Sequence, residues 1–251
     1  MSTQLDPLKT TSQELHLKYR HLVVSGCSFS AGSSSIDLAK SDPSVWPHWL
    51  LKKIHFDRFA NLSIVGGGNL SASYNLLFYL ENRFCDPADT LVIFNLTEFF
   101  RIDLICPVDH PDSTRWFSWD KDFGFSWIIE PLFEDKKSPF HGKLQKNMGF
   151  EQTIMLNSLH VLALFSYLEN RGYRYYFMLM SQECLDHAAP FLQEKIKQNQ
   201  NRFINFPGHE CMKEYVSDLG LTSSKFDHHP STIGHKVIAD SVFERLRNEC
   251  Q

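Results

Sequence analysis

Short apolar runs that alternate with longer segments of helical periodicity constrain the fold of this chain more than any other feature. The strands are predicted at 20–26, 61–65, 90–94, 173–180 and, as a short fifth strand, 202–206. The helices are predicted at 44–54, 70–84, 151–170, 183–200 (interrupted by Pro190) and 231–248. Strands that alternate with helices form a parallel sheet covered on both faces. We therefore expect a three-layer α/β/α, flavodoxin-like domain with about five parallel strands.

An excursion over residues 101–150 breaks this alternation. It is rich in aromatic side chains set among Pro, Gly and Asp: Trp116, Phe117, Trp119, Phe123, Phe125, Trp127 and Phe133. A long excursion inside a compact domain is often a lid or a binding loop, and a hydrophobic cluster that only covers the sheet explains it equally well. We expect residues 1–251 to form one domain that carries this insertion, with Trp116 and Trp119 as candidate substrate contacts.

Charge and hydropathy exclude several classes of partner. The formal net charge is −4 and no basic face is evident, so nucleic acid is not a favoured partner. The amino terminus is polar and lacks the apolar core of a signal peptide, and no window approaches the roughly 18 apolar residues of a membrane span. We expect a soluble cytoplasmic protein with reduced thiols.

Metals and cofactors are not predicted. The six cysteines form no CxxC pair, and the histidines show no HExxH spacing. The segment Gly66-Gly67-Gly68-Asn69 lacks the patterns of a dinucleotide or phosphate loop.

The segment Gly26-Cys27-Ser28-Phe29-Ser30 directly follows the first predicted strand, where open α/β sheets place their ligands. Near the other end of the chain lies Asp227-His228-His229-Pro230. A serine hydroxyl needs an adjacent base to become a good nucleophile, and an imidazole oriented by a carboxylate supplies one. The sequence therefore favours nucleophilic acyl transfer, with Ser28 as nucleophile, His229 as base and Asp227 as the orienting acid.

Other residues compete for these roles. Ser25 and Ser30 are interpreted as structural hydroxyls. His228 should point away from its neighbour in an extended segment, and His235 is expected to be a capping or surface residue of the last helix. The spacing of Asp227 from His229 puts both side chains on one side of an extended loop, but Asp227 capping a turn beside a Ser-His dyad is also consistent with the sequence.

Four segments resemble sequence blocks of the SGNH, or GDSL-like, hydrolases in order and spacing. They are GCSFS after the first strand, NLSIVGGGN after the second, FNLTEFFR after the third and DHHPSTIGH before the last helix. A subgroup with a GCSF first block is the most similar, since the chain also has Trp46-Pro47 and Gly67-Gly68-Asn69. The resemblance implies the family's α/β/α fold and an ester hydrolase in which Ser28 and His229 are catalytic.

The resemblance also implies an oxyanion hole, which needs donors aimed at the developing alkoxide. The candidate donors are the Ser28 amide, the Gly66 or Gly67 amide and the side chain of Asn95, with Asn69 as a rival to Asn95.

The chain departs from the family pattern in three places. Cys27 stands where the first block usually has Asp, and Asn95-Leu96-Thr97-Glu98 replaces the usual Gly-x-Asn-Asp. The acid normally lies three residues before the histidine, where this chain has Phe226.

The favoured function is hydrolysis of an acyl ester of a small molecule or carbohydrate through an acyl-serine intermediate. An acyltransferase with the same residues is an alternative, favoured if the aromatic insertion keeps water out of the site. A non-catalytic binding module is a second alternative, motivated by the altered third block and the shifted acid. Arg101 is a candidate to bind a substrate anion, although a salt bridge within its loop explains it as well.

Overall fold

A parallel sheet lies at the centre of the molecule. The computed structural model describes residues 19–31, 44–83, 85–107, 125–131, 149–224 and 228–249. Its strands are β1 (His21–Ser25), β2 (Arg58–Asn61), β3 (Thr90–Leu96), β4 (Arg101–Pro107), β5 (Phe125–Pro131) and β6 (Arg174–Leu179). Four of them form a parallel sheet in the order β2-β1-β3-β6, and β4 and β5 form a separate antiparallel pair. The predicted parallel α/β sheet is confirmed.

The helices are α1 (Ser28–Ala31), α2 (Trp46–Leu51), α3 (Asn69–Asn82), α4 (Phe150–Arg171), α5 (Gln182–Asp186), α6 (Pro190–Gln198), α7 (Met212–Asp218) and α8 (Thr232–Arg247). The predicted helix at 183–200 is two helices, because Pro190 lacks an amide hydrogen and begins α6 rather than continuing α5. The helix predicted at 151–170 ends at Gly172 as expected.

Two strand predictions need correction. The segment predicted as a fifth strand, 202–206, joins the sheet only through an isolated bridge between Phe203 and Phe177. The second strand lies at Arg58–Asn61 rather than at 61–65. The apolar residues that follow it still run beside β1, since the Leu62 amide donates to the Val24 carbonyl at 2.7 Å, but they lead into a turn instead of extending the ladder.

Helices pack on the sheet in two groups. α3 contacts α4, and α4 presses Phe165 onto Phe177 of β6 with ring centroids 4.1 Å apart. α2 packs against α8, where Lys53 Nζ lies 2.8 Å from Asp240 Oδ1. The strands between these layers are fully buried along β1 and β3, as expected when both faces of a parallel sheet are covered. No helix in the described part of the chain is long and apolar enough to cross a membrane.

The strand order places a crevice beside β1. Because β1 pairs with β2 on one side and with β3 on the other, the chain reverses direction across the sheet at this strand. Ligands of open α/β sheets bind outside the carboxyl ends of the strands at such a reversal. The segments that leave these ends are 26–28, 62–68 and 97–101.

Candidate active site

Ser28 and His229 meet at the carboxyl end of β1. Ser28 is the first residue of α1, and its Oγ lies 2.7 Å from Nε2 of His229, which is 201 positions away in the chain. The serine is only 5% exposed. A general base must lie within hydrogen-bonding reach of the proton that it removes, and this distance meets that requirement. The structure therefore brings together the nucleophile and base that the sequence predicted.

The loop that carries His229 is held by its backbone. Thr222 and Pro230 form an antiparallel bridge, and the Ser223 amide donates to the His229 carbonyl at 2.7 Å. The imidazole also packs on Phe29, with ring centroids 5.0 Å apart. These contacts fix the ring beside the residue that follows Ser28, so its orientation does not depend on the serine alone.

The competing residues have other environments. His228 is exposed. His235 is buried in α8, so the expectation of a capping or surface residue was wrong; it shares the inward face with Ile238 and Val242, three and seven positions further on. Asp227 lies outside the described residues, so a triad and a dyad both stay predictions.

Ser25 and Ser30 are structural, as predicted. The Ser25 hydroxyl donates to the Ala72 carbonyl at 2.8 Å, which ties β1 to α3. The Ser30 hydroxyl accepts a hydrogen bond from the indole of Trp46 at 3.1 Å. Neither hydroxyl competes with Ser28 for the imidazole.

A glycine turn begins at Ile64, whose amide donates to the carbonyl of Gly26, two residues before the serine, at 2.9 Å. The Gly67 amide donates to the Ile64 carbonyl at 3.0 Å, closing a four-residue turn whose third residue, Gly66, has a φ of 76°. The Gly67 amide is therefore already occupied. In the described residues, the amides of Gly66 and Ser28 have no hydrogen-bond acceptor. Of the two candidate glycines, Gly66 has the amide free to receive an oxyanion.

The two candidate asparagines are both fully buried. Asn69 is occupied by the backbone of Thr97, to which its amide donates at 2.9 Å and from which its Oδ1 accepts at 3.0 Å. Asn95 is less committed, because its Nδ2 contacts only the Cys27 sulfur at 3.5 Å and its Oδ1 lacks a partner within the described residues. Asn69 therefore links the start of α3 to the residue that follows β3, while Asn95 retains hydrogen-bonding capacity.

Cys27 occupies the position of the family's usual aspartate. Its thiol is fully buried and lies 3.5 Å from the sulfur of Met180. Burial raises the pKa of the Cys27 thiol, which the charge of Arg101 partly opposes. A buried, protonated thiol is a poor nucleophile, so Cys27 does not compete with Ser28 as a candidate nucleophile.

Arg101 forms the loop salt bridge that the sequence left open. One guanidinium nitrogen lies 2.6 Å from Glu98 Oε2, and another donates to the Gly67 carbonyl at 3.3 Å. Both side chains are largely buried. Two guanidinium nitrogens are therefore held by protein groups. The other candidate substrate contacts, Trp116 and Trp119, lie outside the described residues.

Asp103, which lies with Arg101 at the start of the excursion, is a polar residue of this region for which no role in the site was predicted. It is 4% exposed, and its carboxylate accepts hydrogen bonds from the amides of Gly68 at 3.0 Å and Ser71 at 2.8 Å. Burial raises the pKa of Asp103, and these two amides oppose that rise. The available signal was the spacing of two from Arg101, which places both side chains on one side of a strand.

The three-layer α/β/α fold is similar to that of a solved esterase. Among solved structures, a psychrotrophic esterase EstA from Pseudoalteromonas sp. aligns with a TM-score of 0.53 and 13% identity, over 92% of this chain and 98% of that one. A member of the lipolytic protein G-D-S-L family from Veillonella parvula aligns with a TM-score of 0.49 and 12% identity, over 89% and 96% of the two chains. An acetyl xylan esterase, AlAXEase, aligns with a TM-score of 0.48 and 8% identity, over 89% and 98%. The sequence matches no family model and no curated protein.

Proposed function

We propose that this protein hydrolyses an acyl ester through an acyl-serine intermediate on Ser28. The observation that carries the proposal is the 2.7 Å separation of Ser28 Oγ and His229 Nε2 at the carboxyl end of β1. The shared fold with an esterase supports it, and that esterase is inhibited by monoethylphosphonate in its solved structure. The phosphorus atom of a phosphonate is tetrahedral, like the reacting carbon atom in the intermediate of ester cleavage.

The first half-reaction forms the acyl-serine. The Ser28 hydroxyl donates its hydrogen bond to His229 Nε2, attacks the ester carbonyl carbon and passes its proton to that nitrogen. The tetrahedral intermediate collapses as the bond to the leaving oxygen breaks, and the imidazolium returns the proton to the departing alkoxide. The products of this step are the free alcohol and an ester on Ser28.

The second half-reaction restores the serine. Water loses a proton to His229 Nε2 as its oxygen attacks the acyl carbon, and the second tetrahedral intermediate expels Ser28 Oγ, which takes the proton back. The developing negative charge in both steps requires preorganised donors. We assign these to the amides of Ser28 and Gly66, with the Asn95 side chain as a third candidate.

Fluorophosphonate labelling tests the proposal directly. Wild-type protein should gain a single adduct by intact mass, and peptide mapping should place it on Ser28. Ser28→Ala should gain none. Ser30→Ala is the matched control, because this hydroxyl lies two residues away and accepts a hydrogen bond from Trp46; it should be labelled like the wild type. A folded wild-type protein without an adduct contradicts the hydrolase and favours a non-catalytic binding module.

The same protein can be used to determine whether water or an alcohol receives the acyl group. Simple acetyl and longer-chain esters, offered with and without an added alcohol, distinguish hydrolysis from transfer. Hydrolysis releases free acid whether or not the alcohol is present. A transferase with the same Ser28 and His229 would instead give the new ester as its main product.

A further inference from the structure

Two side chains of β4 approach the glycine turn together. Arg101 and Asp103 are two residues apart on this strand, so both point to the same face. That face lies against the start of α3, which β4 contacts. The strand β4 therefore places a guanidinium group, from Arg101, and a carboxylate, from Asp103, against the turn between β2 and α3.

The two side chains hold opposite ends of a single peptide group. The carbonyl of Gly67 accepts from Arg101 Nη1 at 3.3 Å, and the amide of Gly68 donates to Asp103 Oδ1 at 3.0 Å. These two backbone groups belong to the same planar peptide unit. Its orientation is thereby fixed directly beside the turn whose third residue is Gly66.

Asp103 also replaces a missing helix cap. The residue at the cap position of α3 is Gly68, which has no side chain to accept from the first turn. Asp103 Oδ2 accepts from the Ser71 amide instead, at 2.8 Å. The space is tight, since a Cβ at position 68 would lie 2.6 Å from Asp103 Oδ2. Glycine at this position lets the carboxylate reach the helix end.

We propose that Asp103 is a positioning residue for the oxyanion hole: by holding the Gly67–Gly68 peptide, it fixes the turn that aims the Gly66 amide at the reacting carbonyl oxygen. The inference rests on the proposed ester hydrolysis at Ser28. An oxyanion hole works because its donors are placed before the reaction begins, so a turn free to rotate loses transition-state stabilisation and leaves ground-state binding unchanged.

The test separates this role from helix capping. Asp103→Ala removes the acceptor of both amides. Adding Gly68→Ser to that variant supplies a favoured cap residue, whose hydroxyl accepts from the Ser71 amide in the space that the carboxylate leaves. The double variant restores the cap but supplies no acceptor for the amide of residue 68. Asp103→Asn keeps the shape of the side chain and one of its two acceptor oxygens. It replaces the alanine variant in the test if that variant does not fold.

Three quantities are measured for each variant: the melting temperature, the rate constant for fluorophosphonate labelling, and kcat and KM with p-nitrophenyl acetate. We expect Asp103→Ala and Asp103→Asn to lower kcat and the labelling rate by about ten- to a hundredfold with little change in KM. The double variant should recover the melting temperature and stay slow. Tyr173→Phe, which removes a buried hydrogen bond to the Cys85 carbonyl at the other edge of the sheet, should melt lower and react at the wild-type rate.

Two results would overturn the inference: a folded Asp103 variant that is labelled as fast as the wild type, or a double variant that recovers rate and melting temperature together. The second would mean that Asp103 only caps α3. Failure of the proposed function is a different result, since the wild-type protein itself would then not be labelled.

Discussion

At the scale of single residues, two adjacent imidazoles lie in different environments. His229 contacts Ser28, while the adjacent His228 is exposed. His229→Gln should slow fluorophosphonate labelling of Ser28 by about a hundredfold or more, because the serine loses its base. His228→Gln should stay within about twofold of the wild type, since its ring does not take part. Labelling rates of the two variants at equal protein concentration measure the difference. Equal losses in both would mean that the loop, rather than one ring, activates the serine.

The residues of the candidate site were predictable to different degrees. Ser28 and His229 could be located because each adjoins an element with a clear pattern, a buried strand and an amphipathic helix. Gly66 and Gly67 could not be separated, because the choice depends on which amide closes the turn with Ile64. No role in the site was predicted for Asp103, because its partners lie at the start of α3 and only the folded chain brings β4 to them.

At the scale of elements, α8 depends on a cap close to the candidate base. Ser231 is the cap residue, and its hydroxyl accepts from the Gly234 amide at 3.1 Å. Ser231→Ala should lower the free energy of unfolding by about 1 kcal/mol, because that amide loses its acceptor. Ser231→Asp, which keeps a side-chain acceptor, should lose much less. Urea unfolding of the three proteins tests this, and equal stability of the alanine and aspartate variants would argue against a capping role.

The helix α4 was predicted more accurately than the strand β2, for a physical reason. The long α4 has a repeating buried stripe and a glycine end, both readable in sequence. β2 is a partly exposed strand whose position is set by backbone pairing with β1, while the apolar run that follows it is buried without belonging to the ladder. The prediction followed the apolar residues, so it placed the strand at 61–65, beyond most of the residues that pair with β1.

At the scale of the whole molecule, a buried histidine makes stability depend on pH. Burial, with a smaller contribution from the charge of Arg58, lowers the pKa of His21 from 6.5 to about 4. Between these values the unfolded chain binds a proton that the folded protein excludes, so stability falls as pH falls through this window and the loss is complete near pH 4. The loss attributable to His21 should reach at most about 3 kcal/mol.

Replacement of the histidine isolates this contribution. Urea unfolding at several pH values should show a shallower acid loss for His21→Gln than for the wild type. His55→Gln is the comparison variant, because it removes a histidine whose side chain is 80% exposed. If the free energy of unfolding falls equally with pH in the wild type and in His21→Gln, groups other than His21 cause the acid sensitivity.

The 201 positions between Ser28 and His229 have a consequence for synthesis. On the ribosome, β1 and the serine emerge long before the segment that carries the imidazole, and the interval includes every other strand of the sheet. The serine therefore stays without its base until nearly all of these residues have been made and α8 has docked on α2. If Ser28 reacts as proposed, its reactivity should begin only when the segments that carry Ser28 and His229 meet.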